Sequence, residues 1–305
     1  MSETLRLRGC IPIVATPFHE DGSIDETSLK AQVEWLIAGG VHGLATPAIA
    51  SEGYKLSDEE REIVVAIVVA TARERVPVVV SADGGGTDIA IDRAVSAAIL
   101  GADALMVLPP HFIKPDAENL ARYYARIAAT VPIPIMVQDA PQLTGVTLPA
   151  GLLARIHADH PKVNSVKIEG TPAGGKTSEV LALTGGGMDV FAGWGGLSFW
   201  DGLLRGAAGC MPAANFGPAL ARVYDLFVHG ERAAAYTAFN AAVPFIAWSM
   251  QSIDLSVWTA KEALTRAGVL ASATLREPAT LPDAILRGEF DAFYSSAGCK
   301  IKKSN

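Results

Sequence analysis

The stretch Val163-Asn164-Ser165-Val166-Lys167-Ile168-Glu169-Gly170-Thr171 reads as one short strand with a lysine at its centre and a glutamate two residues later. Successive strand side chains point to opposite faces, so Lys167 and Glu169 share one face while Val166 and Ile168 take the other. An ammonium in such a strand is costly unless it is paired or neutralised. A buried lysine whose pKa falls towards neutrality becomes an amine nucleophile for carbonyl groups. What encloses this strand therefore decides the fold and the chemistry together.

Outward from it, the chain alternates between short apolar runs and helical spacing. Strands are expected at 11–16, 41–46, 77–81, 104–108, 133–137, 163–169, 188–192 and 209–213. Helices are expected between and after them, at 27–38, 58–75, 87–100, 116–130, 149–157, 177–184, 197–205 and 218–228. Gly39-Gly40, Gly101 and Gly185-Gly186-Gly187 stop helices, and Ser57 with Glu60 forms a capping box that opens one. The strands are continuous apolar runs rather than alternating ones, as in parallel strands covered by helices. Eight β/α units predict a TIM (β/α)8 barrel rather than a doubly wound sheet. Residues 1–230 are read as that barrel, 231–293 as a helical extension packed on it, and 294–305 as a disordered tail.

The composition excludes several classes. A net charge of -7, with no basic cluster before the tail, argues against nucleic-acid or anionic-membrane surfaces. The longest aliphatic run, 63–72, is too short to span a bilayer. Cys10, Cys210 and Cys299 lie far apart with no metal-ligand spacing, which predicts no disulfide framework, no zinc site and a cytoplasmic setting.

A (β/α)8 barrel carries its chemistry at the C-terminal ends of its strands. That selects Ala50, Ser51 and Glu52 after the second strand, His111 and Phe112 after the fourth, and Gln138 and Asp139 at the fifth. Lys167 and Glu169 follow at the sixth, Gly193 and Trp194 after the seventh, and Asn215 after the eighth.

At these positions the chain resembles the dihydrodipicolinate synthase / N-acetylneuraminate lyase superfamily. The resemblance rests on I-P-I-V-A-T-P-F at 11–18, L-S-D-E-E-R at 56–61, L-P-P at 108–110, G-A-A-G…A-N across 206–215, and Lys167 on the sixth strand. It implies a Schiff base between Lys167 and a 2-oxo acid, no metal or cofactor, and a homotetramer. The departures narrow it. Where the family carries a threonine and two tyrosines for proton relay, this chain has Ile49, Gln138 and Phe112, and the product-binding arginine is Leu143. The run I-P-I-M-V-Q-D-A-P at 133–141 and the Lys-Ile-Glu of strand six are similar instead to 2-keto-3-deoxy-L-arabonate dehydratases. The resemblance thus implies a hydro-lyase for a 2-keto-3-deoxy sugar acid, ahead of an aldolase or deaminating lyase.

In that chemistry Lys167 attacks the ketone. Its ordinary pKa near ~10.4 must fall by about 3, roughly 4 kcal/mol, or a neighbour must take its proton. Glu169, on the same face, is the candidate for proton transfer, against the plainer role of ion-pair partner. Ser51, with the backbone N–H groups of Ala50–Glu52, is the expected holder of the substrate carboxylate. Gln138 cannot take a proton but can hydrogen-bond a hydroxyl, and Asp139 and Trp194 are expected to shape the pocket. Two rivals stand beside this. Residues 170–177 match G-x-x-x-x-G-K-[ST], a phosphate-binding loop, and a barrel that binds 2-oxo acids without turning them over fits the same strands.

Overall fold

The computed structural model describes residues 5–296. Along the chain run β1 (Gly9–Cys10), α1 (Glu26–Ala38), β2 (Leu44–Thr46), α2 (Asp58–Ala72), β3 (Val78–Ser81), α3 (Thr87–Ile99), β4 (Ala104–Val107) and α4 (Ala117–Thr130). They are followed by β5 (Ile135–Asp139), α5 (Pro141–Thr144), α6 (Ala150–Asp159), β6 (Val163–Ile168), α7 (Ala173–Leu183), β7 (Asp189–Ala192), α8 (Phe199–Leu204) and β8 (Gly209–Cys210). The chain closes with α9 (Gly217–Val228), α10 (Arg232–Ser249), α11 (Ile253–Arg266) and α12 (Ala284–Ser296). Eight strands, each followed by helix, and three further helices give the expected class, a (β/α)8 barrel with C-terminal helices. Of the expected tail, 294–296 end α12 and 297–305 lie outside the described residues. No described helix is long and apolar enough to cross a membrane.

The chain forms two compact units, Met1–Arg8 with Pro77–Met211, and Gly9–Val76 with Pro212–Asn305. In the first, β3 to β8 pair in chain order and in parallel. Every residue of these six strands is buried, as a parallel sheet covered on both faces requires. The register sets Gln138 of β5 opposite Lys167 of β6, and Lys167 opposite Phe191 of β7.

In the second unit, Ile13 bridges both Ala45 and Ala213. The capping box that opens α2 is present as expected: Glu60 N–H donates to Ser57 Oγ, and Ser57 N–H to the Glu60 carboxylate. Phe290 of α12 is fully buried and packs at 5.7 Å from Phe245 of α10 and 5.1 Å from Trp258 of α11, ring centre to ring centre. Aromatic edges on faces hold the three C-terminal helices together.

Candidate active site

The first unit brings Lys167, Glu169 and Gln138 together. Strand alternation carries Lys167 and Glu169 to one face, as expected, and their side chains are 7% and 6% exposed. Lys167 Nζ lies 3.2 Å from Glu169 Oε1. The same oxygen accepts a 2.6 Å hydrogen bond from Gln138 Nε2, which the β5–β6 register aims from the neighbouring strand. One carboxylate oxygen thus takes both donors. The other amide atom, Gln138 Oε1, is buried and unpartnered. A buried acceptor without a donor is costly, so this oxygen is open to a hydrogen-bond donor.

Glu169 is gripped through its backbone as well. Its N–H donates to the Asp139 carbonyl at 2.9 Å, and its carbonyl accepts from Gln142 Nε2 at 2.8 Å. Behind it stands Gly193, where a Cβ would lie 2.3 Å from Glu169 Cγ and 3.1 Å from Lys167 Cε. Only a residue without a side chain lets the two charged groups sit where they do. Neither Gln142 nor the need for glycine at 193 is read from the sequence. The Pro141…Gly145 pair that brackets α5 was the available signal for the first.

Asp139 departs from its expected part. It follows Gln138 on β5 and so faces the other way, towards the helices, where its fully buried carboxylate meets Lys176 Nζ of α7 at 2.6 Å. Burial pushes this carboxyl above its ordinary pKa, and the Lys176 ammonium opposes that rise. The glycine loop departs from the phosphate-cradle reading for the same reason. Helix α7 already starts at Ala173, so Gly174 and Gly175 lie in its first turn, and Lys176 is bound to Asp139. Trp194 follows Gly193 in a short turn with φ 49° and is half-buried, while His111 is exposed.

In the second unit, Ala50 and Ser51 belong to a tight 3-10 turn. The Ser51 hydroxyl, expected to meet a substrate carboxylate, donates instead to the Val14 carbonyl at 2.5 Å, and its N–H to the Ala48 carbonyl. A hydroxyl has a single proton to give, so in this arrangement Ser51 offers an acceptor only. Glu52, next in line, is fully buried at φ 56° and bonds Lys261 Nζ at 2.5 Å and Lys55 Nζ at 3.0 Å. Lys261 also donates to the Thr274 carbonyl, and burial pulls its pKa down to about 8. This charged cluster joins residues 209 apart in sequence, and no spacing rule reveals it.

Chemically, the first unit offers a buried amine, a carboxylate beside it and a neutral amide, with no hydroxyl among them. A primary amine adds to ketones, and a carboxylate within reach moves protons on the adduct.

Comparison with known proteins gives the family. The profile of the Dihydrodipicolinate synthetase family matches residues 6–292. The chain is 32% identical over 284 residues to an L-2-keto-3-deoxyarabonate dehydratase of Azospirillum brasilense, covering 91% of this chain and 90% of that one. It is 30% identical over 293 residues to a 4-hydroxy-tetrahydrodipicolinate synthase of Chelativorans sp., covering 95% and 98%. A solved dihydrodipicolinate synthase from Acinetobacter baumannii, chloride inhibited and complexed with pyruvate, has the same fold at TM-score 0.90 and 26% identity, covering 96% and 100%.

Proposed function

The chain belongs to the Dihydrodipicolinate synthetase family of lyases, and from that premise we propose that it is a Schiff-base-forming hydro-lyase that dehydrates a 2-keto-3-deoxy sugar acid such as 2-keto-3-deoxy-L-arabonate. The observation that carries this reading is the shared Glu169 oxygen, 3.2 Å from Lys167 Nζ and 2.6 Å from Gln138 Nε2. The amine, a carboxylate and a non-ionisable amide stand together.

The Lys167 ammonium passes one proton to Glu169 and its amine adds to the C2 ketone; the proton then goes to the carbinol hydroxyl, which leaves as water and gives a protonated imine. The imine acidifies C3, and the Glu169 carboxylate takes a C3 proton to form the enamine. The enamine then expels the C4 hydroxyl, which departs as water with the proton that Glu169 gathered. Expulsion leaves an imine conjugated with a C3–C4 double bond. Loss of a C5 proton and return of a proton to C3 convert it to the C4–C5 enol, which tautomerises to the aldehyde, and water releases the semialdehyde from Lys167. The imine itself activates the carbon, so the steps use no Lewis acid and no cofactor. Retro-aldol cleavage needs a base on the C4 hydroxyl, and Gln138 cannot serve as one. The unpartnered Gln138 Oε1 instead suits a substrate that brings a hydroxyl. Similarity to the Azospirillum dehydratase supports the same substrate class. Three scattered cysteines fit a reducing cytoplasm, and a homotetramer is proposed on the family resemblance.

Product analysis after incubation with a 2-keto-3-deoxypentonate tests the reaction class. A 2-oxo acid semialdehyde retaining all carbons supports dehydration, whereas pyruvate with a two-carbon aldehyde establishes an aldolase.

A further inference from the structure

The lysine of the G-x-x-x-x-G-K-[ST] match is left without a part by the reading above. It is bound to a fully buried carboxylate that lies one residue from Gln138. We propose that Lys176, through Asp139, is a positioning residue for Glu169, an assignment that rests on Glu169 as the proton-transfer group.

Three groups at the end of β5 and the start of α5 hold Glu169: the Gln138 amide on its carboxylate, the Asp139 carbonyl on its N–H, and the Gln142 amide on its carbonyl. Glu169 therefore goes where this segment goes. What fixes the segment from outside is Asp139, whose carboxylate reaches across to Lys176 on α7. Helix α7 is itself seated on α8. A Cβ on Gly174 would stand 1.9 Å from Asp201 Oδ2 and 2.8 Å from Arg205 Nε, so the two helices touch there without a side chain between them. A chain of direct contacts thus runs from α8 through α7, Lys176 and Asp139 to the backbone of Glu169. Burial raises the pKa of the Asp139 carboxyl, and the Lys176 ammonium facing it opposes that rise. A surface ornament would not carry such a cost, whereas a strut that holds a catalytic carboxylate in place has reason to. A displacement of Glu169 by an ångström is enough to slow proton transfer sharply.

The prediction separates two steps that both use pyruvate as the probe. Imine formation is read by borohydride trapping, and proton transfer by exchange of the pyruvate methyl hydrogens for deuterium in heavy water. Lys176→Met is expected to trap pyruvate with a half-saturation within about threefold of wild type. Its exchange rate is expected to fall at least about tenfold, and Lys176→Arg to recover most of it. Equal exchange in a folded Lys176→Met, or parallel loss of imine and exchange, overturns the proposal. Should Lys176→Met fail to fold, Asp139→Leu with Lys176→Met removes both charges at once, and an exchange-to-imine ratio equal to wild type in that pair overturns it. Absence of imine in the wild type, or exchange that survives Glu169→Gln, is a different failure and sinks the underlying assignment instead.

Discussion

Lys167 and Gln138 stand opposite each other on paired strands, and both converge on Oε1 of Glu169. The arrangement fixes the carboxylate by one oxygen and leaves the other, Oε2, for proton transfer. It also makes the three side chains one unit, so their losses will not add.

Replacing Glu169 by glutamine keeps the shape and removes the base. Imine formation on Lys167 is expected to survive, while turnover falls by about 10²–10⁴-fold. Trapping and steady-state kinetics on the same preparation check this. A variant that turns over at the wild-type rate would reduce Glu169 to an ion-pair partner.

Gly193→Ala drives a methyl into Glu169 Cγ at 2.3 Å. Overpacking of this kind costs about 1–3 kcal/mol, and here it also displaces the carboxylate. The expected result is a lower melting temperature together with a turnover loss of at least about tenfold. A stability loss with unchanged turnover would show that Glu169 tolerates the shift.

Lys261→Met leaves Glu52 fully buried with Lys55 and the Arg276 N–H as its remaining partners. Breaking one side of a buried pair costs about 3–5 kcal/mol. Removing both charges in Glu52→Leu with Lys261→Met is expected to restore part of that. Urea unfolding of both variants gives the comparison, and an additive double variant would show that the two charges do not interact.

Glu60 accepts both guanidinium N–H groups of Arg276 at 2.7 Å, and this bond holds its carboxyl below the ordinary value of 4.5. The unfolded chain therefore takes up the proton first as pH falls. The stabilisation is complete above about pH 4.5 and disappears as pH drops through the folded-state value. Glu60→Gln is expected to destabilise the protein at pH 7 by roughly 1 kcal/mol, since the group is partly exposed. The gap should narrow as the pH is lowered below 4.5. Urea midpoints at pH 7 and in acid report it, and a gap that widens in acid contradicts the assignment.

The repeat of eight units was readable because apolar runs, capping signals and stop glycines recur in order. Strand limits were readable only where proline did not intervene. Residues 11–16 and 209–213 are expected as full strands, yet β1 lies before the expected span, at Gly9–Cys10, and β8 keeps only Gly209–Cys210. Pro12 and Pro212 have no N–H to extend a ladder, and Ile13 continues as isolated bridges. Pro134 likewise delays β5 to Ile135. Helix α7 starts four residues before its expected Thr177, because Pro172 leads into it and the glycines that suggested a loop are helical. At the site, Lys167 and Glu169 follow from strand alternation alone. The Asp139–Lys176 pair did not, since its members lie 37 residues apart on different elements. The constraint on Gly193 shows only when Glu169 and Lys167 are seen against it.

Everything proposed for the site depends on a covalent imine between Lys167 and a 2-oxo acid. Borohydride reduction in the presence of pyruvate or a 2-keto-3-deoxypentonate, followed by mass spectrometry of the peptide 163–171, tests it most directly. The expected result is one reduced adduct on Lys167 in the wild type and none in Lys167→Ala. An unmodified wild type, or an adduct that persists in Lys167→Ala, contradicts it.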